Sequence, residues 1–439
     1  MLDKYDYRYK ICLPLVLSAY KNNFNKIYIK GLENIPKDKN KPVIFAPNHK
    51  NAVVDGLNIV NISKRQVVFL ARADVFVNKF VSWILKGIKV MPIYRIRDGK
   101  DELQKNEQVF KHSAKILKNG NALCLFPEAV HNPKISLLPL KKGIPRIALL
   151  TENSEDFKLG TCIIPVAAHY YYINEFMQDV YIEFCKPIDI KNYEEEYKEN
   201  SNHAINSLRK DLDFRLREKM IDISNKNYYD FYLDAINLCS KQLAEKKYKD
   251  DEFGIIYASQ DIVNKLDELY EKDRAEFLDV TNNYGRIFSI LSLYKLKTTD
   301  PINRNIKGVE ITLRTVLLVL MSPIALFAYV NTLLPILFYK LLRKKIKEKQ
   351  FIDSLRIISA LLFVTIFYVI QAIIVGILLK SFLLAIIYII TSLLSLRIFS
   401  FWYKWVRDLK RMSKVHKFSK KHHKEYQFIK SLINIDLFS

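Results

Sequence analysis

The chain has 439 residues, 50% of them hydrophobic, and a formal net charge of +23 with few glycines and prolines. That length allows more than one domain, and the composition excludes a largely disordered protein. The charge suits nucleic acid, anionic lipid or phosphorylated substrates, but no zinc-finger spacing, RNA-binding aromatic box or basic zipper accompanies it, and long apolar stretches favour lipid over nucleic acid.

Residues 1–25 have a short apolar core and no small-residue cleavage site, which predicts an amphipathic helix resting on the membrane or the domain rather than a signal peptide. Residues 26–36 alternate like an exposed strand, and 37–41 form a charged loop. Pro42-Val43-Ile44-Phe45 predicts a buried strand that runs into Asn48-His49-Lys50-Asn51-Ala52-Val53-Val54-Asp55. Histidine is the side chain best suited to take a proton near neutral pH, and a nearby carboxylate fixes its tautomer and stabilises the imidazolium. Such a turn presents a base at the end of a sheet, or merely happens to hold a His and an Asp.

Residues 66–71 predict a second core strand, 75–86 an apolar helix, and 88–97 a strand that delivers Arg95 and Arg97 at its end. The spacing over 101–117 is helical and closes at Asn119-Gly120, where glycine suits a left-handed cap. Ala122-Leu123-Cys124-Leu125-Phe126-Pro127-Glu128 is another buried strand, ending on Pro and Glu. A helix follows through residue 150, and 162–167 and 180–184 complete the strands. Strands alternating with helices predict an α/β domain with a mostly parallel central sheet over 26–192. Ligands of such sheets collect at the strand ends, where His49, Asp55, the arginines and Glu128 fall. Residues 193–306 read as a charged helical region for packing or linking.

No charged residue occurs over 315–339 or 357–379, and a third apolar stretch, 381–396, continues past Arg397 to Trp402. Residues 307–403 are therefore expected to be membrane-embedded, with 404–439 a basic tail suited to anionic head groups. The positive-inside rule puts both the basic loop 340–349 and the tail on the cytoplasmic side, so 357–402 forms a hairpin with both ends inside. A single crossing by 315–339 would put the basic loop outside. Pro323, Asn331 and Pro335 interrupt that segment, which is expected to dip in and return as a re-entrant or interfacial hairpin; the alternative is that it spans with the large domain on the other side, against which the free cysteines argue. Five scattered cysteines lack paired metal-ligand spacing; Cys124, Cys162 and Cys185 read as buried thiols of a reducing compartment. His422-His423 has no second ligand cluster, so no metal is expected. His169, followed by three tyrosines, reads as a packed strand end, and His112 as a surface residue.

An Asn-His turn with a downstream Asp, Pro92-Ile93-Tyr94-Arg95, Phe126-Pro127-Glu128 and Ile164-Pro165-Val166 recur in a fixed order. In that order they resemble the four sequence blocks of the glycerophospholipid acyltransferase family, which includes glycerol-3-phosphate and 1-acylglycerol-3-phosphate acyltransferases, over roughly residues 26–190. The membrane-embedded C-terminal region is similar to a bacterial and fungal branch of that family. The resemblance implies that His49 is the general base, deprotonating a hydroxyl for attack on the thioester of an acyl-CoA or acyl-carrier protein, and that Asp55 orients it. It implies a substrate-binding set of Asn48, Arg95, Arg97, Glu128, Lys141 and Pro165. Arg95 would contact the acceptor phosphate with Arg97 as helper, and Lys141 would add to phosphate binding. Glu128 would organise the acceptor pocket, and Pro165 would shape the acyl-donor side. Arginine suits phosphate because it stays charged and donates two parallel hydrogen bonds. No cofactor is implied beyond the acyl donor, and the partners are membrane lipids. The expected location is an integral membrane protein with its catalytic domain on the cytoplasmic face, at the inner membrane if bacterial.

Two positions depart from the family. It usually has four residues between His and Asp, whereas five separate His49 from Asp55. In a continuous helix that spacing subtends about 240° and parts the side chains, so the turn must be partly non-helical. After Phe-Pro-Glu the family normally has Gly, then a Thr-Arg or Gly-Ser-His type sequence; here Ala129-Val130-His131-Asn132-Pro133-Lys134 follows. His131 or Lys134 substitutes for the missing groups, or both lie in a solvated loop. The altered block leaves room for an acyltransferase with a different lipid acceptor, such as an amino-acid lipid. A rival of another class is a non-catalytic membrane scaffold that keeps the fold.

Overall fold

A computed structural model describes residues 7–63, 65–94, 100–171 and 175–438. It divides into two compact units: the chain up to Met220 together with Leu341–Leu361, and Ile221–Lys340 together with Leu362–Ser439.

The first unit is built on one sheet of eight strands: β1 (Phe24–Lys30), β2 (Val43–Pro47), β3 (Val67–Arg72), β4 (Val90–Ile93), β5 (Ala122–Cys124), β6 (Cys162–Tyr170), β7 (Gln178–Phe184) and β8 (Ile188–Asp189). Their order is β1-β7-β6-β2-β5-β3-β4, with β8 paired to β6. β2 runs parallel to both β5 and β6, β3 to both β5 and β4, and β1 to β7. Only β6 meets its neighbours β7 and β8 in antiparallel fashion. The sheet is mostly parallel, as the alternation of elements predicted.

Such a sheet is covered on both faces, so its central strands β2 and β5 are apolar and buried throughout. Val43 and Phe45 of β2 point into one core and Ile44 and Ala46 into the other. The first core is closed by α1 (Tyr7–Asn23) and α2 (Ala52–Ser63) through Tyr20, Val54 and Ile59. Beyond the short α3 (Lys79–Gly87), the second core is closed by α4 (Lys100–Lys118), α5 (Gly143–Asn153) and, after the short α6 (Glu194–Glu199), by α7 (Ser201–Lys219). The domain thus extends beyond residue 192. The charges of α7 belong to its outer face, while Leu208, Leu212 and Leu216, four residues apart, are fully buried. α1 departs from the expected amphipathic helix: Pro14 lies inside it, Tyr20 is buried, and Tyr7, Ile11 and Leu15 are exposed.

The second unit contains α8 (Tyr229–Lys247), α9 (Gly254–Lys272), α10 (Arg274–Leu293) and α11 (Gly308–Arg343). After α12 (Ile352–Ser359), which folds with the sheet, it continues through α13 (Thr365–Leu378), α14 (Phe382–Lys421) and α15 (His423–Leu432). Three helical stretches, Gly308–Arg343, Lys349–Leu378 and Phe382–Lys421, are long and apolar enough to cross a membrane. The expected turn back within 315–339 is absent, because α11 is continuous and carries Pro323 and Pro335 inside it. A proline frees the carbonyl four residues earlier, and the one freed by Pro335, on Asn331, is taken by Gln371 Nε2 at 3.1 Å. That replacement bond removes the reason to break the helix. Where α14 leaves its apolar stretch, a groove of about 750 Å³ is lined by Lys297, Arg407, Lys410, Arg411, Lys414 and Lys417.

Candidate active site

The site forms at the carboxyl ends of β2, β5 and β6, which are parallel and so end on one edge of the sheet. After Pro47 the chain stays tied to β6. Asn48 N donates to the Val166 carbonyl at 3.2 Å, Asn48 Nδ2 to the Ala168 carbonyl at 3.1 Å, and Ala168 N to Asn48 Oδ1 at 2.8 Å. Asn48 is 2% exposed and spends its side chain extending the ladder, so it anchors the turn.

His49 comes next, with Nδ1 at 3.0 Å from Asp55 Oδ2. That contact leaves Nε2 as the ring nitrogen that Asp55 does not engage. The extra residue between them is absorbed at Ala52, whose φ of 43° is left-handed and displaces the chain from helical geometry just as α2 begins. The turn is therefore non-helical where the spacing required it. Asp55 Oδ2 also accepts from Lys50 N at 2.8 Å and Asn51 N at 2.7 Å, so the carboxylate wraps its own loop. Its Oδ1 accepts from the Tyr170 hydroxyl. Asn58 Nδ2 donates in turn to Tyr170 at 2.8 Å, and Tyr20 to Asn58 Oδ1 at 2.6 Å. Burial, then the Asp55 charge, holds the Tyr170 phenol well above its ordinary pKa, so it remains a donor.

Glu128 is also buried, at 2% exposure. Its Oε1 accepts from His49 N at 2.8 Å and its Oε2 from Leu138 N at 3.0 Å. With Asn132 N donating to the His49 carbonyl at 2.9 Å, the third block grips the histidine main chain from both sides. The imidazole stacks on Phe126, centroids 3.7 Å apart, and meets the His131 ring at 3.9 Å. His131 is thus no solvated loop residue. Burial, reinforced by His49, lowers its pKa to about 4, and it stays neutral over the working range. Lys134 is exposed.

Ala129, at the family's usual glycine position, has a φ of 60°. The backbone keeps the left-handed shape that glycine adopts freely, at a cost borne by the alanine Cβ. Ala129→Gly is expected to raise stability by roughly 1 kcal/mol, read as a higher apparent thermal midpoint in detergent; an unchanged or lower midpoint would show that the loop relaxes with the smaller residue.

The remaining expected residues are dispersed. Arg95 and Arg97 lie outside the described residues. Pro165 is buried within β6 opposite Ala46, its carbonyl accepting from Cys185 N at 2.9 Å, so it is part of the sheet. Lys141 is exposed, and its main-chain N–H is held by the Pro127 carbonyl at 2.8 Å. His169 is a packed strand end, Nε2 against the Lys219 carbonyl at 3.1 Å, and burial lowers its pKa to about 3. Among the described residues no group of three or more His, Cys, Asp and Glu side chains is placed to hold a metal ion.

Sequence reasoning missed Lys50 and the Asp55–Tyr170–Asn58–Tyr20 chain. Lys50 is 8% exposed, and burial lowers its pKa to about 8 against the pull of Asp55 and Glu128. Its position inside the His/Asp turn was the available signal.

Residues 26–169 match the family model described as Acyltransferase. Glycerol-3-phosphate O-acyltransferase 2 of Saccharomyces cerevisiae is 25% identical over 46% of this chain, which spans 32% of that protein's length. The 1-acyl-sn-glycerol-3-phosphate acyltransferases of Borreliella burgdorferi and Bacillus subtilis are 29% and 30% identical, over 41% and 32% of this chain and 68% and 64% of theirs. The crystal structure of the 1-acyl-sn-glycerophosphate acyltransferase of Thermotoga maritima is 20% identical and covers 50% of this chain and 82% of its own, with a TM-score of 0.36. The domain built around the His49–Asp55 turn is thus an Acyltransferase domain by the family model it matches, and it is similar to glycerol-3-phosphate and 1-acylglycerol-3-phosphate acyltransferases.

Proposed function

We propose that the protein transfers a fatty acyl group from acyl-CoA or acyl-carrier protein to the hydroxyl of glycerol-3-phosphate or 1-acylglycerol-3-phosphate, at a membrane. The observation that carries this reading is the His49–Asp55 pair, 3.0 Å apart at the open edge of the sheet. His49 Nε2 takes the hydroxyl proton as the acceptor oxygen attacks the thioester carbonyl. The tetrahedral intermediate collapses to the ester, and the departing thiolate takes the proton back from the imidazolium. Asp55 holds the tautomer and offsets the transient positive charge. Arg95 is proposed as the acceptor-phosphate contact, with Arg97 beside it, and no cofactor beyond the thioester is needed for this chemistry.

Lys50 supplies a buried positive charge between the Asp55 and Glu128 carboxylates, a favourable neighbour for an anionic acceptor. Its pKa of about 8 lies below the ordinary 10.5, so across that window the unfolded chain binds the extra proton. Its contribution to stability therefore rises with pH through the window. Activity should move the opposite way and fall above about pH 8, while Lys50→Arg, always charged, carries the alkaline limb upward. A limb that stays put in Lys50→Arg would remove Lys50 from this role.

The membrane reading rests on the three long apolar helical stretches and on the lysine- and arginine-lined groove, which suits anionic lipid head groups. Leu341–Leu361 fold with the catalytic unit, so the basic stretch at 341–349 shares its side of the membrane, the cytoplasmic one by the positive-inside rule. The chain reaches α11 from the catalytic domain through residues 221–306, which contain no apolar crossing segment. A single crossing by α11 would part that basic stretch from the domain with which it folds, so α11 is proposed to lie along the interface.

The test uses full-length protein in nanodiscs of anionic or zwitterionic lipid, with radiolabelled acyl-CoA and each acceptor in parallel, and His49→Ala as control. Acylated product with one acceptor, absent in the variant, fixes the reaction. No product with either acceptor, with acyl-carrier protein as donor or with non-phosphate acceptors, from a protein that is folded, would remove the reading.

A further inference from the structure

The amino-terminal end of the second long apolar stretch, Lys349–Leu378, carries two polar residues aimed at the catalytic turn. Asp353, in the first turn of α12, is completely buried. Its Oδ2 accepts from Asn51 Nδ2 at 2.9 Å and from Gln178 Nε2 at 3.3 Å. Its Oδ1 accepts from Arg356 at 2.8 Å, and Arg356 also donates to Asn23 Oδ1 at 3.0 Å. Ser354 Oγ accepts the Val53 main-chain N–H at 3.1 Å. That amide lies in the first turn of α2, where N–H groups have no partner within the helix. Just before α12, the Phe351 ring meets His131 edge-on at 5.2 Å, and His131 lies against His49.

These contacts fall on the residues that the longer His-to-Asp spacing disturbs. Ala52 is left-handed, and its two neighbours, Asn51 and Val53, are the ones held from α12. Asn51 is stretched between two carboxylates, its main-chain N–H on Asp55 and its side chain on Asp353. A buried carboxylate is costly unless its oxygens are satisfied, and packing of α12 on the sheet is already provided by apolar contacts such as Ile357. Two polar groups directed at the one irregular stretch of the turn have a more specific use. We infer that Asp353 and Ser354 are positioning residues for acyl transfer, holding residues 51–53 so that Asp55 meets His49. The inference rests on the acyl-transfer reading above.

The test is steady-state kinetics of the full-length protein in nanodiscs, with thermal midpoints recorded alongside. Asp353→Ala should lower kcat at least about tenfold, toward the roughly 100-fold that a 1 Å misplacement costs, with KM for acyl-CoA and acceptor essentially unchanged. Asn51→Ala should lower kcat in the same way, and the double variant should be no worse than Asp353→Ala alone, since Asp353→Ala already removes the bond that Asn51→Ala removes. Ser354→Ala removes an acceptor without exposing a charge and should lower kcat severalfold. Should Asp353→Ala fold poorly, the exchange Asn51→Asp with Asp353→Asn reverses donor and acceptor and should restore kcat lost in Asn51→Asp alone. Unchanged kcat in Asp353→Ala and Ser354→Ala beside an inactive His49→Ala would overturn the inference and leave acyl transfer standing. Independent, additive losses at Asn51 and Asp353, or losses in KM alone, would overturn it too. No product from the unaltered protein overturns both readings.

Discussion

Replacing His49 with alanine is expected to lower acyl transfer by about 10²–10⁴-fold, the contribution of a well-placed general base, and to leave a folded protein. The ring is held by Phe126 on one side and His131 on the other and is 12% exposed. Its removal opens a small gap at the edge of the sheet, while the main-chain bonds to Glu128 and Asn132 stay. Single-turnover formation of labelled product separates chemistry from product release. A residual rate within about tenfold of the parent would mean that proton transfer to His49 is not what the site contributes.

Asp55→Asn is expected to cost about 10²–10⁴-fold in kcat through lost support of the imidazolium, and some stability as well. Asp55 accepts from His49 Nδ1, two main-chain N–H groups and the Tyr170 hydroxyl, all at a residue that is 1% exposed. An amide offers a single acceptor oxygen. Turned to keep the loop N–H groups on oxygen, its NH₂ faces the Tyr170 hydroxyl, which loses its acceptor. Turned the other way, it faces three donors in a buried site, at about 1–3 kcal/mol for each group left unmade. Adding Tyr170→Phe should therefore recover stability in Asp55→Asn but not activity. Recovery of both would show that Asp55 acts through packing alone.

The strands and the His–Asp pair were legible because each lies within a short stretch: an apolar run of strand length, and a motif directly after it. Block order also located Glu128, but a motif gives a position without a direction. Glu128 turns inward to grip the His49 main chain, and Asn48 and Pro165 belong to the sheet. α7 was hidden by its charges, since its apolar stripe is narrow beside a heavily charged outer face. The dip expected of α11 failed on a partner in another helix, Gln371, which no local reading of Pro335 reveals. Asp353 was the least legible. It precedes an apolar stretch, where a carboxylate resembles an ordinary interfacial flank, and its partner Asn51 is 302 positions away.

The unit built on the sheet is therefore not one uninterrupted length of polypeptide: Leu341–Leu361, from the last turn of α11 to just before α13, complete it. During synthesis the amino-terminal sheet emerges first, but the ribosome must read through the whole of α11 before Asp353 and Ser354 can reach the turn. Until then the first long apolar helix is already out of the ribosome, where a bilayer is the environment that suits it. The order of translation thus builds in a delay: the first long apolar helix is complete before the residues that brace the His49–Asp55 turn have been made.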